Sequence, residues 1–160
     1  MSLLPIFKWA DATAVGQMVR GNTWTFPLVE TIHILALTVL LGFILMIDLR
    51  LLGVIKRLGV SQMQRQLHGY INWSLAVILI TGVMLWLSEA MKTYTNAAFR
   101  PKIILLALAI AYHYTIHRKA ASSDSPSGPA WSPAWSKVAA IVSLALWFGV
   151  GIAGRAIGFT

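Results

Sequence analysis

The chain has 160 residues, 58% hydrophobic and only 11% charged, with a mean hydropathy of +0.72 and a formal net charge of +8. Soluble domains carry about 25% charged residues, so this composition excludes an ordinary soluble fold and points to one integral membrane unit. The 13 Lys and Arg sit at the ends of apolar runs, which suits lipid headgroups and not nucleic acid; the lack of cysteine excludes thiolate ligation, disulfides and thiol redox chemistry.

Within residues 3–20, Leu3, Ile6, Phe7, Ala10, Ala14 and Met18 recur near helical spacing, with Lys8, Asp11, Gln17 and Arg20 elsewhere. This predicts a short amphipathic helix lying in the headgroup layer. It lacks a basic start, an apolar run and a small-residue cleavage site, so it does not read as a signal peptide. Gly21 and Asn22 break it, Trp24 and Phe26 suit the membrane interface, and Pro27 suits the first turn of the next helix.

Four apolar runs follow, at 28–49, 69–88, 101–117 and 138–154. A span needs about 20 residues, so the last two use interfacial flanks. Lipid offers the backbone no hydrogen bonds, so each run is expected to be helical. The expected fold is all-α: a transmembrane four-helix bundle with a short N-terminal interfacial helix, as one domain over 1–160. The connections are 50–68 (basic), 89–100 (polar) and 118–137, which contains the flexible Ser/Pro/Gly-rich string SSDSPSGPAWSP. Seven Lys or Arg fall in the first and third connections and six elsewhere. The dense first connection is expected to face the cytoplasm, leaving both termini on the outer side.

Glu30, His33 and Asp48 interrupt the first span. At about 100° per residue they share one helical stripe. Ionisable groups inside a membrane are costly and usually functional, so this stripe is expected to face the interior. Alternating spans sort the polar ends into two levels. Glu30, His33, Glu89, Lys102 and Arg155 form an outer level. Asp48, Arg50, His68, His113 and His117 form an inner one. Glu30 and Asp48 are 18 residues apart, or about 27 Å along a helix. On the second span His68, Asn72, Leu75, Leu79, Gly82 and Trp86 share a face, and on the third Lys102 and His113 are nearly eclipsed.

Each candidate has a plainer rival. His33 reads as a haem or metal ligand oriented by Glu30, against a hydrogen bond between helices; the cost of burial favours the ligand. Lys102 and Arg155 read as partners for haem propionates, against snorkelling to headgroups. His68 and His113 would be axial ligands of a second b haem, against two interfacial histidines, and the plainer reading has the edge. His113 and His117 have metal-clamp spacing, but beside Arg118 and Lys119 they read as solvated. Gly149-Val150-Gly151-Ile152-Ala153-Gly154 matches a dinucleotide fingerprint by letters, yet no strand precedes it, so close helix packing is the better reading, as for Gly42 and Gly82. Trp86 and Trp147 are candidates for lining a cofactor pocket. No nucleophile–base pair or phosphate loop is visible, which leaves catalysis unassigned.

The run TWTFPLVETIHILALTVLLGFILMIDLRLLG resembles a group of uncharacterised bacterial four-helix membrane proteins marked by ExxH followed by DLRLLG. Here these are Glu30 and His33, then Asp48-Leu49-Arg50-Leu51-Leu52-Gly53. TGVMLWLSEAMKTYTNAAFRPK and SLALWFGVGIAGRAIGF extend the resemblance over most of the chain. The layout is more distantly similar to CopD-type copper-resistance membrane proteins and to four-helix membrane protoporphyrinogen oxidases. That similarity implies a haem-ligating His at His33, a Lys opening the third helix at Lys102, and a late third-helix His at His113. Arg50 matches a basic residue near the end of the first helix, and a bacterial inner membrane is the expected location.

The leading expectation is therefore a membrane protein that binds b-type haem for electron transfer or porphyrin-linked redox chemistry. His33 would ligate the iron, Glu30 would orient it, and Lys102 and Arg155 would neutralise propionates. Its partners would be the lipid bilayer and a redox partner or larger membrane complex, not nucleic acid. The rivals are a copper-type metal-ion transport module and a non-enzymatic membrane anchor or accessory subunit. Met18, Met46, Met63, Met84 and Met91 form no thioether cluster that favours the first rival, whereas the small residues of the fourth span suit a partner face.

Overall fold

The computed structural model describes residues 4–56, 58–124 and 131–156. Residue 3, Arg57 of the basic connection and 125–130 of the Ser/Pro/Gly-rich string lie outside them. The described residues are helical with no strand: α1 (Leu4–Asp11), α2 (Ala14–Gly21), α3 (Thr25–Leu51), α4 (Val60–Ser88), α5 (Ala90–Thr95), α6 (Phe99–Tyr112), α7 (Arg118–Ala120) and α8 (Pro133–Ala156). A π-helical turn, His113–His117, joins α6 to α7, so residues 99–120 form one helical run of 22 residues.

Among the described residues three helices, α3, α4 and α8, are long and apolar enough to cross a membrane, which supports an integral membrane protein. Only 22%, 33% and 28% of their most apolar stretches is buried inside the protein. Ile34, Leu35, Ile80, Val83, Ile141, Phe148 and Ile152 face outward, where hydrocarbon can cover them. α3 lies along α4, and α8 packs on both α3 and α6. Their shared core is Leu40, Ile44 and Ile47, Ile71, Leu75 and Ile78, Ala109, and Ala139, Ala140, Trp147 and Val150. α8 passes α6 at two of its glycines. A Cβ on Gly149 would stand 3.6 Å from Leu105, and one on Gly154 would stand 3.6 Å from Lys102. Both are ordinary contacts, so neither place requires glycine, and Gly151 has open space. Gly42 has open space beside it too.

The N-terminal segment departs from the single headgroup helix expected over 3–20. It breaks after Asp11, because Thr13 caps a new helix by accepting the Gly16 N–H at 3.2 Å. The two short helices do not merely float on lipid. Ala10, Gly16 and Val19 are buried, Phe7 meets Trp86, Tyr94 and Phe99 edge-on, and Arg20 binds Asp11 at 2.7 Å and the Ser88 carbonyl at 3.3 Å. Gly16 lies so close to the Leu87 carbonyl that a Cβ has no room. Composition showed an amphipathic segment but not that α4 would supply the partner for its apolar side.

α4 also begins nine residues before its expected start, inside the predicted basic connection. Residues 60–68 are amphipathic, and they bury Val60, Met63 and Gln64. The early start is capped from a distant part of the chain: Asp124 Oδ1 accepts the Ser61 N–H at 2.8 Å, with Gly59 leaving room for the carboxylate. An anion at a helix N-terminus satisfies an orphan donor and the helix dipole together. The predicted polar connection 89–100 contains α5. The buried face of α4 carries Gln64, Ile71, Ser74, Ile78, Thr81 and Ser88, and Leu79 turns outward, contrary to the face expected from the sequence.

Gly16→Ala is expected to lower thermal stability in detergent by about 1–3 kcal/mol, through forced separation of α2 from α4. Gly42→Ala, with space available, should be neutral or slightly stabilising. Equal melting of the two variants would contradict the close approach. Burial pushes the Asp124 carboxyl up, but hydrogen bonds from Ser61, Val60 and its own backbone hold it below the usual carboxylate range. Its stabilising contribution is thus complete above the ordinary carboxylate pKa and fades as pH falls through the lowered value. Hydrogen exchange at the first amides of α4 should accelerate on acidification relative to mid-helix amides, and Asp124→Asn should flatten that pH dependence.

Candidate functional site

The polar residues gather at two levels of α3. His33 and Asp48 are 15 residues apart, roughly 22 Å along the axis. Buried Leu40, Ile44 and Ile47 lie between them.

At the outer level, His33 of α3 lies against α4, with Gly82 beside its ring: a Cβ there would stand 3.3 Å from His33 Cε1. The Thr81 hydroxyl donates to the Val77 carbonyl at 2.6 Å, and its oxygen stands 2.8 Å from His33 Nδ1. With that proton committed to Val77, the threonine oxygen is the acceptor and His33 Nδ1–H the donor. This leaves the lone pair on Nε2, the form an imidazole needs to ligate a metal. Lys102, opening α6, is within electrostatic reach of His33 and packs against Gly154. Arg155 follows Gly154 and is exposed. The Trp86 indole N–H is buried with no partner among the described residues. The sequence-based levels of His33, Lys102 and Arg155 are therefore consistent with how α3, α4, α6 and α8 meet.

Glu30 requires a correction. It is exposed, and the group that orients His33 is Thr81. A carboxylate in the first turns of a span can reach the headgroup layer and does not need a buried partner. The expectation that Glu30, His33 and Asp48 all face the interior holds fully only for Asp48; His33 is half-buried.

The inner level is more completely enclosed. Asp48 of α3 is 0% exposed, His117 0% and His113 1%. His117 Nε2–H donates to Asp48 Oδ1 at 2.7 Å, and the Ser143 hydroxyl of α8 donates to Asp48 Oδ2 at 2.8 Å. Three helical segments thus converge on one carboxylate. The His113 ring stacks on His117, with centroids 5.2 Å apart and planes at 28°. Both residues belong to the π-helical turn, a local widening often found at functional sites. Both ring nitrogens of His113, Nδ1 of His117, Nδ1 of His68 and both amide atoms of Gln64 are buried without a hydrogen-bond partner among the described residues. The solvated reading of the His113–His117 pair is therefore overturned: the flanking Arg118 and Lys119 are exposed, while the histidines turn into the protein.

His68 is engaged differently. The Tyr114 hydroxyl donates to Asn72 Oδ1 at 2.7 Å, which turns the Asn72 NH2 toward His68 Nε2 at 3.1 Å. The lone pair of Nε2 is thereby used, and Nδ1 carries the proton. This arrangement does not favour His68 as an axial ligand opposite His113. Among the described residues no group of three or more His, Asp or Glu stands close enough together to hold a metal ion.

Sequence reading passed over Ser143 and Gln64 and set His117 aside. A signal for Ser143 was present: Ser136, Ala139, Ala140, Ser143, Trp147 and Val150 recur at helical spacing, and all are buried. Asp48→Ala is expected to cost about 3–5 kcal/mol by leaving His117 and Ser143 facing an empty place, and Asp48→Asn distinctly less. Unfolding in a graded denaturant series in detergent measures both. A neutral Asp48→Ala would contradict the buried pair.

A family model described as a family of unknown function, DUF6644, matches residues 6–160. Neither a curated protein nor a solved structure matches the chain. The resemblance to an uncharacterised membrane family therefore has support, whereas the more distant likenesses to the copper-resistance proteins and the oxidases gain none.

Proposed function

Because the chain belongs to the DUF6644 family, whose function is unknown, its reading rests on its own residues, and we propose that it is a membrane protein that binds a b-type haem through His33 and serves electron transfer or porphyrin-linked redox chemistry. The observation that carries this reading is the hydrogen bond from His33 Nδ1–H to Thr81, which keeps Nε2 unprotonated and fixes the ring. Lys102 and Arg155 supply positive charge at the same level for two propionates, and Gly82 leaves the imidazole room beside α4. Two features support the fit: one imidazole whose Nδ1 is engaged by Thr81, and Lys102 within electrostatic reach of that ring. Haem held by His33 would supply one-electron chemistry, and the His33–Thr81 hydrogen bond would tune it.

In this reading the helical run 99–120 is a fourth crossing, completing a four-helix bundle. An even number of crossings brings both termini to one side, and the positive charge of the connection 50–68 assigns that side as the outer face of a bacterial inner membrane. The partner is an electron carrier or a larger membrane complex.

The purified protein, loaded with haem during expression, should show a Soret band that shifts on reduction. His33→Ala should abolish or strongly alter it, whereas His117→Ala, from the other level, should leave its position unchanged. Thr81→Val should retain haem but move its reduction potential, because the hydrogen bond to the axial ring is lost. A folded sample that stays colourless after haem reconstitution, or a spectrum indifferent to His33→Ala, would refute the reading.

A further inference from the structure

The inner cluster has more hydrogen-bonding capacity than a structural ion pair requires. Asp48 and His117 satisfy each other on one side only. His117 presents Nδ1, and His113 presents both nitrogens, to a buried interior with no partner among the described residues. Buried polar atoms in folded proteins nearly always have partners, so a row of bare imidazole nitrogens beside a carboxylate marks a place where something small and polar is exchanged. The three side chains do not stand close enough together to hold a metal ion. The set has what a proton needs: hydrogen-bonding groups that stand close together and are enclosed in protein.

We propose that Asp48, His117 and His113 form a buried proton-binding site at the inner end of the helices. In one state Asp48 is a carboxylate and His117 an imidazolium. Transfer of the proton from Nε2 to Oδ1 along the 2.7 Å hydrogen bond gives a neutral acid and a neutral imidazole, with no change in total charge. Uptake of one further proton at His117 makes that ring an imidazolium beside a protonated Asp48 and adds one positive charge. His113, stacked on His117, is the next acceptor. Ser143 is a positioning residue, since its hydroxyl holds Oδ2 and leaves Oδ1 for the exchange.

Titratable, charged or polar groups face the cluster from every element packed on it. From α4 the cluster faces His68, and from α7 Arg118, both within electrostatic reach of His113. Tyr112 of α6 feels Asp48 and commits its hydroxyl to the Ala139 carbonyl at 2.9 Å. On α3, Arg50 is two residues away but donates to the Leu58 carbonyl. α8 contributes Ser143. Thus one carboxylate is the only described anion facing three histidines and an arginine, and a second positive charge is resisted. The inference does not depend on haem at His33, roughly 22 Å away along α3.

The test uses the full chain in detergent micelles or nanodiscs, without added cofactor. Infrared difference spectra between about pH 4 and pH 9 should show a carboxylic-acid stretch together with imidazole ring bands. Asp48→Asn should remove one component of that stretch, leaving the components of the four other acidic side chains. Ser143→Ala should keep this component but move it to higher frequency, because Oδ2 loses its donor; this covers the case in which Asp48→Asn does not fold. His117→Gln should lower proton uptake in a pH jump by about one proton per chain. A carboxyl stretch that is unchanged by Asp48→Asn, or unmoved by Ser143→Ala, overturns the proposal and leaves Asp48 and His117 as a fixed structural pair.

Discussion

A carboxylate excluded from water and lipid alike governs this structure. Removing an ion of that size from water costs several kcal/mol even after the protein relaxes, so Asp48 must collect its partners from wherever the chain can supply them. It takes an imidazole from the turn after α6 and a hydroxyl from α8. Apolar contacts alone would let α3, α8 and the run after α6 slide past one another, because lipid competes for the same surfaces as protein does. A two-point hydrogen bond fixes both axial register and rotation. Packed apolar groups often match a buried pair energetically, but they do not specify the alignment equally well.

The π-helical turn has a physical explanation in the same constraint. A regular α-helix running from Lys102 to Ala120 would carry Arg118 and Lys119 out to the interface, but it would place His113 and His117 with less freedom to meet both α3 and α8. Widening the helix locally re-aims two imidazoles at once, at the cost of poorer backbone hydrogen bonding over a single turn. Tyr112 then anchors the turn to α8 through the Ala139 carbonyl. Backbone irregularity is tolerated here because the turn's histidines are enclosed in protein.

Much of this organisation was legible in the sequence. Apolar run lengths gave α3, α4 and α8, since lipid permits little else, and depth sorting of helix ends placed His33 with Lys102 and Asp48 with His117. What failed was the assignment of direction. Glu30 shares a nominal stripe with His33, but a long side chain one or two turns from the headgroups can reach out, so periodicity alone overstates its burial. His117 was judged by Arg118 and Lys119, although on a helix immediate neighbours point apart. The break at Thr13 and the early start of α4 depend on Gly16 against Leu87 and on Asp124 reaching Ser61. Those are long-range contacts that no local pattern contains.

The separation of the two levels has its own consequence. Between His33 and Asp48 the helix interior is filled by Leu40, Ile44 and Ile47, packed on Ile71, Leu75 and Ile78, while Thr38 of this stretch is exposed and donates to the Ile34 carbonyl. A proton cannot cross such a stretch without a chain of donors and acceptors, whereas an electron can tunnel through packed side chains. The outer histidine has its ring tautomer fixed by one hydroxyl, and the inner pair has its second faces bare. The two proposals therefore concern separate places in the fold, joined only by the rigidity of α3 and its neighbours.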